Sequence, residues 1–561
     1  MHHADPAIPP LASHAAARAY RGSPPAGRLI DRTTLPQVLA GAQGHAGAPG
    51  LTWYEAERRV LHFSWGELLA QVRGLARWFA REQGVARGDR VIVLSANSPE
   101  AFCTHLALMS LGAVTVPVSN TESARVLQLI ADKTEPKLAV TGREVAPELR
   151  EALRGTVALP ALPLAVDADD SDADAGFAWP AQEVQPDDPA VILFTSGTTS
   201  APKGVCLSHY NLLVNAEGLS RIHDLANRRV HMCVLPLFHA NAFGFSMIGS
   251  LYAGSHVVLS AGVAGPALWD ILRAEKVNVI SLVPEIIRVL TRIAVPRDTL
   301  PDLKYCTSAA APLPKTVSAE FREKTGIDIH QGYGLSECVN FAATMPWNVS
   351  DADLERAMTQ FRVPSIGLAL YGCDMDVKRA DGSSADPEEE GEVVVTGHTL
   401  MRGYWDAEDA TEAALGDGCL RTGDLGFYAV VGGERFFFIT GRKKEIVIRY
   451  GENLSPLAIE AELEALRAIG RFAVAGFANE AAGEEIGLYV VAQRTPETER
   501  RVLDAVRACT VRYRPRVVLF GTDPVPATPT GKVKRALLAQ KFQAYAKRSF
   551  GSDPIAGNAT A

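Results

Sequence analysis

Residues 191–204 read Val-Ile-Leu-Phe-Thr-Ser-Gly-Thr-Thr-Ser-Ala-Pro-Lys-Gly, a short apolar run that breaks abruptly into glycine and hydroxyl residues. The run has the length of a buried strand, and the break forces the chain to turn at its end. A loop of this composition can wrap a polyphosphate. Gly197 lets the backbone approach closely, backbone N–H groups point inward, and Thr195, Ser196, Thr198 and Thr199 supply hydroxyl donors. Lys203 adds a positive charge. The order of Gly, Lys and hydroxyl residues differs from that of the G-x-x-x-x-G-K-[ST] loop. The plainer alternative, a turn rich in small residues, would suit this string if it stood alone.

It does not stand alone, because the chain around it alternates helix and strand. Ser64-Trp-Gly-Glu67 is a capping box ahead of an apolar stripe, Leu68, Leu69, Val72, Leu75, Ala76 and Phe79, which predicts an amphipathic helix. Short apolar runs follow at 90–94, 113–117, 137–141, 191–194, 257–260 and 279–282, with helical segments such as 101–111 among them. The fold class expected is therefore α/β, with parallel-rich sheets in a large N-terminal domain spanning 31–440. After about Pro364 the strands shorten and Gly/Asp turns become frequent, which predicts a β subdomain over 364–440. A smaller α/β segment over 447–550, with a helix at 457–466, makes a small C-terminal domain, joined through 441–446. Residues 1–30 and 551–561 read as weakly structured tails.

Composition removes several classes. With 56 Lys+Arg against 64 Asp+Glu, the net charge is −8, which argues against a broad nucleic-acid-binding face while leaving room for a local anion site. The eight cysteines form no C-x-x-C pair, so a zinc site or a disulfide framework is not expected, and reduced thiols point to the cytoplasm. No signal-type segment opens the chain. Residues 230–269 carry no Asp, Glu, Lys or Arg, but His239, Asn241, Pro236 and several Gly and Ser residues interrupt them, so no membrane span is expected. The acidic run 167–174 lacks the glycine and terminal glutamate of a calcium loop and reads as a solvated surface segment.

Four further strings decide the reading: Gln-Gly-Tyr-Gly-Leu-Ser-Glu at 331–337, Arg-Thr-Gly-Asp-Leu-Gly at 421–426, Gly-Arg-Lys-Lys-Glu-Ile-Val-Ile-Arg-Tyr-Gly-Glu-Asn-Leu-Ser-Pro at 441–456, and Pro-Thr-Gly-Lys-Val-Lys-Arg at 529–535. With the opening loop they closely resemble the core motifs of the adenylate-forming (AMP-binding) enzymes, most of all the acyl-CoA synthetases. The five occur in the family's order and cover the chain from about residue 35 to 545.

The resemblance implies a carboxylic acid activated with ATP and Mg²⁺ to an acyl-adenylate, followed by transfer to the thiol of CoA. An acyl carrier protein, which presents the same phosphopantetheine thiol, is the alternative acceptor, and a non-catalytic nucleotide-binding protein is the reading from another class. Thr195, Ser196, Gly197, Thr198, Thr199 and Lys203 would hold phosphates. Tyr333 would lie against adenine, with Ala310 beside it. Ser336 would donate to phosphate, and Glu337 would be a hard oxygen ligand for Mg²⁺. Asp424 would accept from both ribose hydroxyls, with Arg442 adding a ribose or phosphate contact. Lys532 would be the catalytic cation of adenylate formation, because positioning and charge stabilisation govern that step. Lys444 would be the hinge of a mobile C-terminal domain, and Gly451 would line the entrance for the pantetheine arm. His239 would border the carboxylate, with Ala240, Asn241, Phe243, Gly244 and Ala309 around the acyl group. Ser336 and Glu445 stand where the family usually has threonine and aspartate, and both keep the polar group.

Amino-acid activators of this family place an aspartate just after the 236–244 region to hold the substrate ammonium. Residues 240–250 contain no acidic residue, so a desolvated ammonium would lack its partner there. A non-amino, acyl-type acid is therefore expected.

Overall fold

The computed structural model describes residues 14–153, 155–164, 183–195, 202–227, 230–262, 265–528 and 531–559. The helix predicted from the capping box spans Trp65–Arg81. The Ser64 backbone N–H donates to Glu67 at 2.8 Å, and the Glu67 N–H returns the bond to the Ser64 hydroxyl. All six residues of its apolar stripe are buried. Each large apolar side chain in such a stripe contributes about 1.5–3 kcal/mol by leaving water.

Two sheets form the body of the large region. The first has seven strands in the order Gly403–Tyr404, Lys203–Ser208, Pro189–Thr195, Val114–Val118, Arg90–Leu94, Leu138–Thr141 and Thr156–Ala158. From Pro189–Thr195 onward neighbouring strands are parallel, and Lys203–Ser208 pairs back antiparallel. The second has nine strands. Its parallel core runs Asp328–Tyr333, Tyr305–Ser308, Val279–Leu282, Val230–Cys233, His256–Ser260 and Pro49–Glu55. Ligands of parallel sheets gather beyond the carboxyl ends of the strands, and Thr195, Ser308 and Tyr333 are all such ends. The β subdomain is a four-stranded antiparallel sheet of Cys373–Lys378, Gly391–Gly397, Leu420–Val431 and Glu434–Arg442.

From Val447 onward the chain builds a separate six-stranded sheet with its own two apolar cores. Both expected tails depart from the reading of the sequence. Ile555–Asn558 is a strand, paired in parallel with Val517–Phe520, because that sheet offers an open edge beside Val517–Gly521. At the other end, the chain packs from residue 14 onward. Ala17 and Arg18 are buried, and the Gly397 N–H donates to the Ala17 carbonyl. Ala/Pro composition marks a tail only while no groove receives it.

The eight cysteines form no disulfide and are buried, as small apolar residues are. No helix among the described residues is long and apolar enough to cross a membrane. The acidic run 167–174 lies outside the described residues.

Candidate functional site

The opening motif is the connection of a β-hairpin. Thr195 and Lys203 face each other at the ends of antiparallel strands, and the Thr195 hydroxyl donates to the Lys203 carbonyl at 3.4 Å. Ser196, Gly197, Thr198 and Thr199 lie outside the described residues. Lys203 is the first residue of a strand, not a loop residue, and its ammonium sits 4.8 Å above the centre of the Tyr404 ring. The Tyr404 hydroxyl donates to Glu337 Oε1 at 2.7 Å. One tyrosine thus couples the hairpin cation to the candidate metal ligand. No spacing in the sequence marks Tyr404; a two-residue strand, Gly403–Tyr404, brings it beside Lys203–Ser208.

Tyr333 closes its strand between two glycines, and both are there for space. A β-carbon on Gly332 would stand 2.8 Å from the Phe341 ring, and one on Gly334 would stand 1.6 Å from the Asn340 carbonyl oxygen. The Tyr333 hydroxyl donates to Asp424 Oδ2 at 2.7 Å. Burial, and then the Asp424 carboxylate, push that phenol well above its ordinary range, so it stays a donor. Asp424 is buried, and across the antiparallel pair it faces Arg442, whose Nε lies 2.8 Å from Oδ1. Tyr333 and Arg442 therefore hold one oxygen each of the carboxylate expected to meet ribose. Ser336 and Glu337 stand on a single 3₁₀ turn, Ser336–Cys338, immediately after this cradle.

Lys532 comes to the same place from the other end of the chain. Ala527 bridges Val533, the Lys534 N–H donates to the Pro526 carbonyl, and Gly531 takes the turn at φ +85°. The Lys532 N–H donates to the Thr528 hydroxyl at 3.1 Å. Lys532 is half-buried, and burial lowers its pKa; Arg442 adds to the shift, while Asp424, Glu445 and Glu337 oppose it. Those charges lie on separate segments, so the lysine hairpin, the Asp424 strand and the Glu337 turn share one electrostatic site.

The joining segment is tied on both sides. Lys443 pairs with Glu392 at 3.3 Å, and Glu445 pairs with Arg535 at 2.9 Å. Lys444, between them, is exposed. Gly451 takes φ +81° at the exposed tip of the hairpin Val447–Arg449/Glu452–Leu454, with nothing within 4 Å of where its β-carbon would be.

His239 ends a turn in which its N–H donates to the Pro236 carbonyl, and its ring lies 4.5 Å from that of Phe238. Burial pushes its imidazole down to about 4, so it is neutral at pH 7. Asn241–Gly249 is a π-helix, a form concentrated at functional sites. Ala240 is half-buried, and Asn241 accepts a 2.8 Å bond from the Ser281 hydroxyl. Phe243 is fully buried and packs edge-on to His105 at 5.4 Å, within the core. Ala309 is buried beyond the Tyr305–Ser308 strand, and Ala310 adopts φ +70°, exposed.

Comparison with known proteins places the chain among others of one family. The AMP-binding enzyme family matches residues 41–405. A sulfoacetate–CoA ligase of Cupriavidus necator is 32% identical over 485 residues, covering 85% of this chain and 92% of that protein. An indoleacetate–CoA ligase of Aromatoleum aromaticum is 33% identical over 522 residues, covering 89% and 97%. Among solved structures, ATP-bound MatB from Rhodopseudomonas palustris superposes with a TM-score of 0.78 at 25% identity, covering 92% of this chain and all of that one. With the family model spanning more than half of the chain, and relatives above 30% identity matched over most of both lengths, this chain belongs to the AMP-binding enzyme family.

Proposed function

We propose that this protein is an ATP-dependent acid–thiol ligase: it converts a carboxylic acid to its acyl-adenylate with release of pyrophosphate, then transfers the acyl group to CoA. The observation that carries the residue assignments is the Tyr333–Asp424–Arg442 cluster, with Lys532 near enough for the charges of Arg442, Asp424 and Glu337 to act on its ammonium. Relatives named as CoA ligases favour CoA over a carrier-protein thiol as acceptor.

In the first step a carboxylate oxygen attacks the α-phosphorus of ATP and the bond to the pyrophosphate oxygen breaks. Negative charge shifts around the α-phosphoryl oxygens, and the Lys532 ammonium neutralises it. The hairpin at 195–203, with Lys203, holds the outer phosphates. Tyr333 lies against adenine, and Asp424 exchanges its present partners for ribose hydroxyls, with Arg442 alongside. Ser336 donates to phosphate. Glu337 fits Mg²⁺, since among the described residues the Tyr404 hydroxyl engages Oε1 and leaves Oε2 for the metal, which would draw charge from the phosphates. In the second step the thiol sulfur attacks the acyl carbon, the bond to AMP breaks, and the thiol proton passes to solvent. Domain 447–550 turns about Lys444 between the two steps, taking Lys532 away and bringing Gly451 to the thiol path.

A carboxylic-acid panel read by pyrophosphate release, repeated with CoA and read as thioester, tests this reading; ATP cleavage that no acid stimulates would refute it. Glu337→Gln keeps the shape of the side chain and removes its charge, so the Mg²⁺ concentration giving half-maximal adenylation is expected to rise about tenfold or more. An unchanged metal dependence would remove Glu337 as a ligand.

A further inference from the structure

Three buried or half-buried polar side chains around the proposed acyl region each keep an atom with no protein partner: His239 Nε2, Asn241 Nδ2 and Asn340 Nδ2. Asn241 and Asn340 are more than nine-tenths buried, so water does not compensate them in the way it would at the surface. Asn340 packs against the helix that begins at Asn241. Gly244 lies three residues along the π-helix from Asn241, and a β-carbon on it would stand 2.8 Å from Asn340 Cβ. On its other side the Asn340 carbonyl lies directly beneath Gly334 of the nucleotide cradle. Asn340 therefore stands where the acyl region and the nucleotide cradle meet, the place an acyl-adenylate must cross.

The backbone holds Asn340 there at a cost. Val339 adopts φ +71°, ψ −61°, and the Asn340 N–H donates back to the Cys338 carbonyl at 2.9 Å. That is a γ-turn of the strained hand, centred on a β-branched residue. Strain of this kind collects where a side chain must be aimed.

We infer that the acid bears an uncharged oxygen acceptor, such as a hydroxyl, ether or keto oxygen, close to its carboxyl group, and that Asn241 and Asn340 recognise it. The inference rests on the acid-activating reading above. An uncharged acceptor fits because carboxamide N–H groups donate without neutralising charge, and residues 230–269 hold no Lys or Arg to pair with an anion. A plain alkyl chain would leave both amides unpaired in the complex, and sites built around a hydrogen bond reject the analogue that lacks it.

The test uses pairs of acids that differ in one group: 3-hydroxybutyrate against 3-methylbutyrate, methoxyacetate against butyrate, and 2-hydroxybenzoate against 2-methylbenzoate, each read by pyrophosphate release with the full chain. The expected result is a kcat/KM at least about tenfold higher for the oxygen-bearing member of one or more pairs. That ratio should fall toward one in Asn340→Leu and in Asn241→Leu. Equal or better turnover of the alkyl member in every pair overturns the inference and leaves acid activation intact. So does a preference that survives unchanged in both variants. No release with any acid overturns both readings together. The wild-type comparison needs no variant to fold.

Discussion

Lys532→Ala is expected to slow acyl-adenylate formation by about 10²–10³-fold, the usual loss when one charge-stabilising donor is removed from a transition state, while thioester formation from supplied acyl-adenylate and CoA stays within about threefold of wild type. The split follows from where the lysine stands. Its neighbours in charge are Arg442, Asp424, Glu445 and Glu337, three of them proposed contacts of the nucleotide or its metal. In the thiol step the phosphorus keeps its four oxygens and the bond that breaks is the one from the acyl carbon to AMP, and on the proposed turn of the C-terminal domain the hairpin carrying Lys532 is then away from the site. Rapid-quench measurement of each half-reaction separates the two; equal losses in both would sink the assignment. The pH dependence carries a second signature. Burial lowers the Lys532 pKa, and the ammonium is the form the step needs. Adenylation is therefore full below that lowered pKa and lost as pH rises through it, at a pH below the roughly 10.4 of an ordinary lysine. Lys532→Arg, which stays charged, should extend kcat/KM for ATP to higher pH even if its plateau is lower. A basic limb that survives unchanged in the arginine variant would assign it to another group.

How much of this site the sequence discloses depends on how local each signal is. The cradle is legible because its demands are local. Gly332 and Gly334 flank Tyr333 since neither position has room for a β-carbon, and Gly531 turns the lysine hairpin at a positive φ. The helix at Trp65–Arg81 is legible for the same reason, with cap and stripe within one segment. What escapes is whatever depends on distant segments meeting. Tyr404 is a lone tyrosine until a two-residue strand sets it between Lys203 and Glu337, 67 residues from the latter. Asn340 gains meaning only where Gly244 and Gly334 close on it. Phe243 reads equally well as pocket wall or core filler, because apolarity does not report which face of a π-helix is open, and it packs against His105. The strand Ile555–Asn558 hides because Gly and polar neighbours mask an edge strand whose pairing comes entirely from Val517–Phe520.

Arg535→Met is expected to destabilise the C-terminal domain by about 3–5 kcal/mol, the cost of leaving buried charges without their partner. Arg535 is only 8% exposed, and it reaches two carboxylates at once, Glu445 at 2.9 Å and Glu460 at 2.6 Å, as well as the Val474 carbonyl. Methionine preserves most of the length and apolar packing, so the loss reports charge and hydrogen bonding rather than a cavity. Among the described residues Glu460 then keeps the Val474 N–H at 2.8 Å and loses its cation, while Glu445 loses its ion pair and is left with the more distant charges of Arg442 and Lys532. The effect should be regional. All seven tryptophans precede residue 406, so their fluorescence follows the large domain, whereas hydrogen exchange over 447–550 follows the small one. Exchange there should accelerate while the tryptophan transition stays in place. The position of the residue also links stability to catalysis. Arg535 lies three residues after Lys532, and Glu445 directly follows Lys444, so the guanidinium fastens the lysine hairpin to the segment proposed as the hinge. Adenylation should fall beyond what partial unfolding explains. Adding Glu445→Gln and Glu460→Gln to Arg535→Met removes the orphaned charges, so it should restore much of the stability without restoring the adenylation rate. Unaltered exchange in Arg535→Met would mean that water already compensates the two carboxylates, and recovery of rate together with stability in the triple variant would mean that the clamp holds the domain together without positioning its lysine.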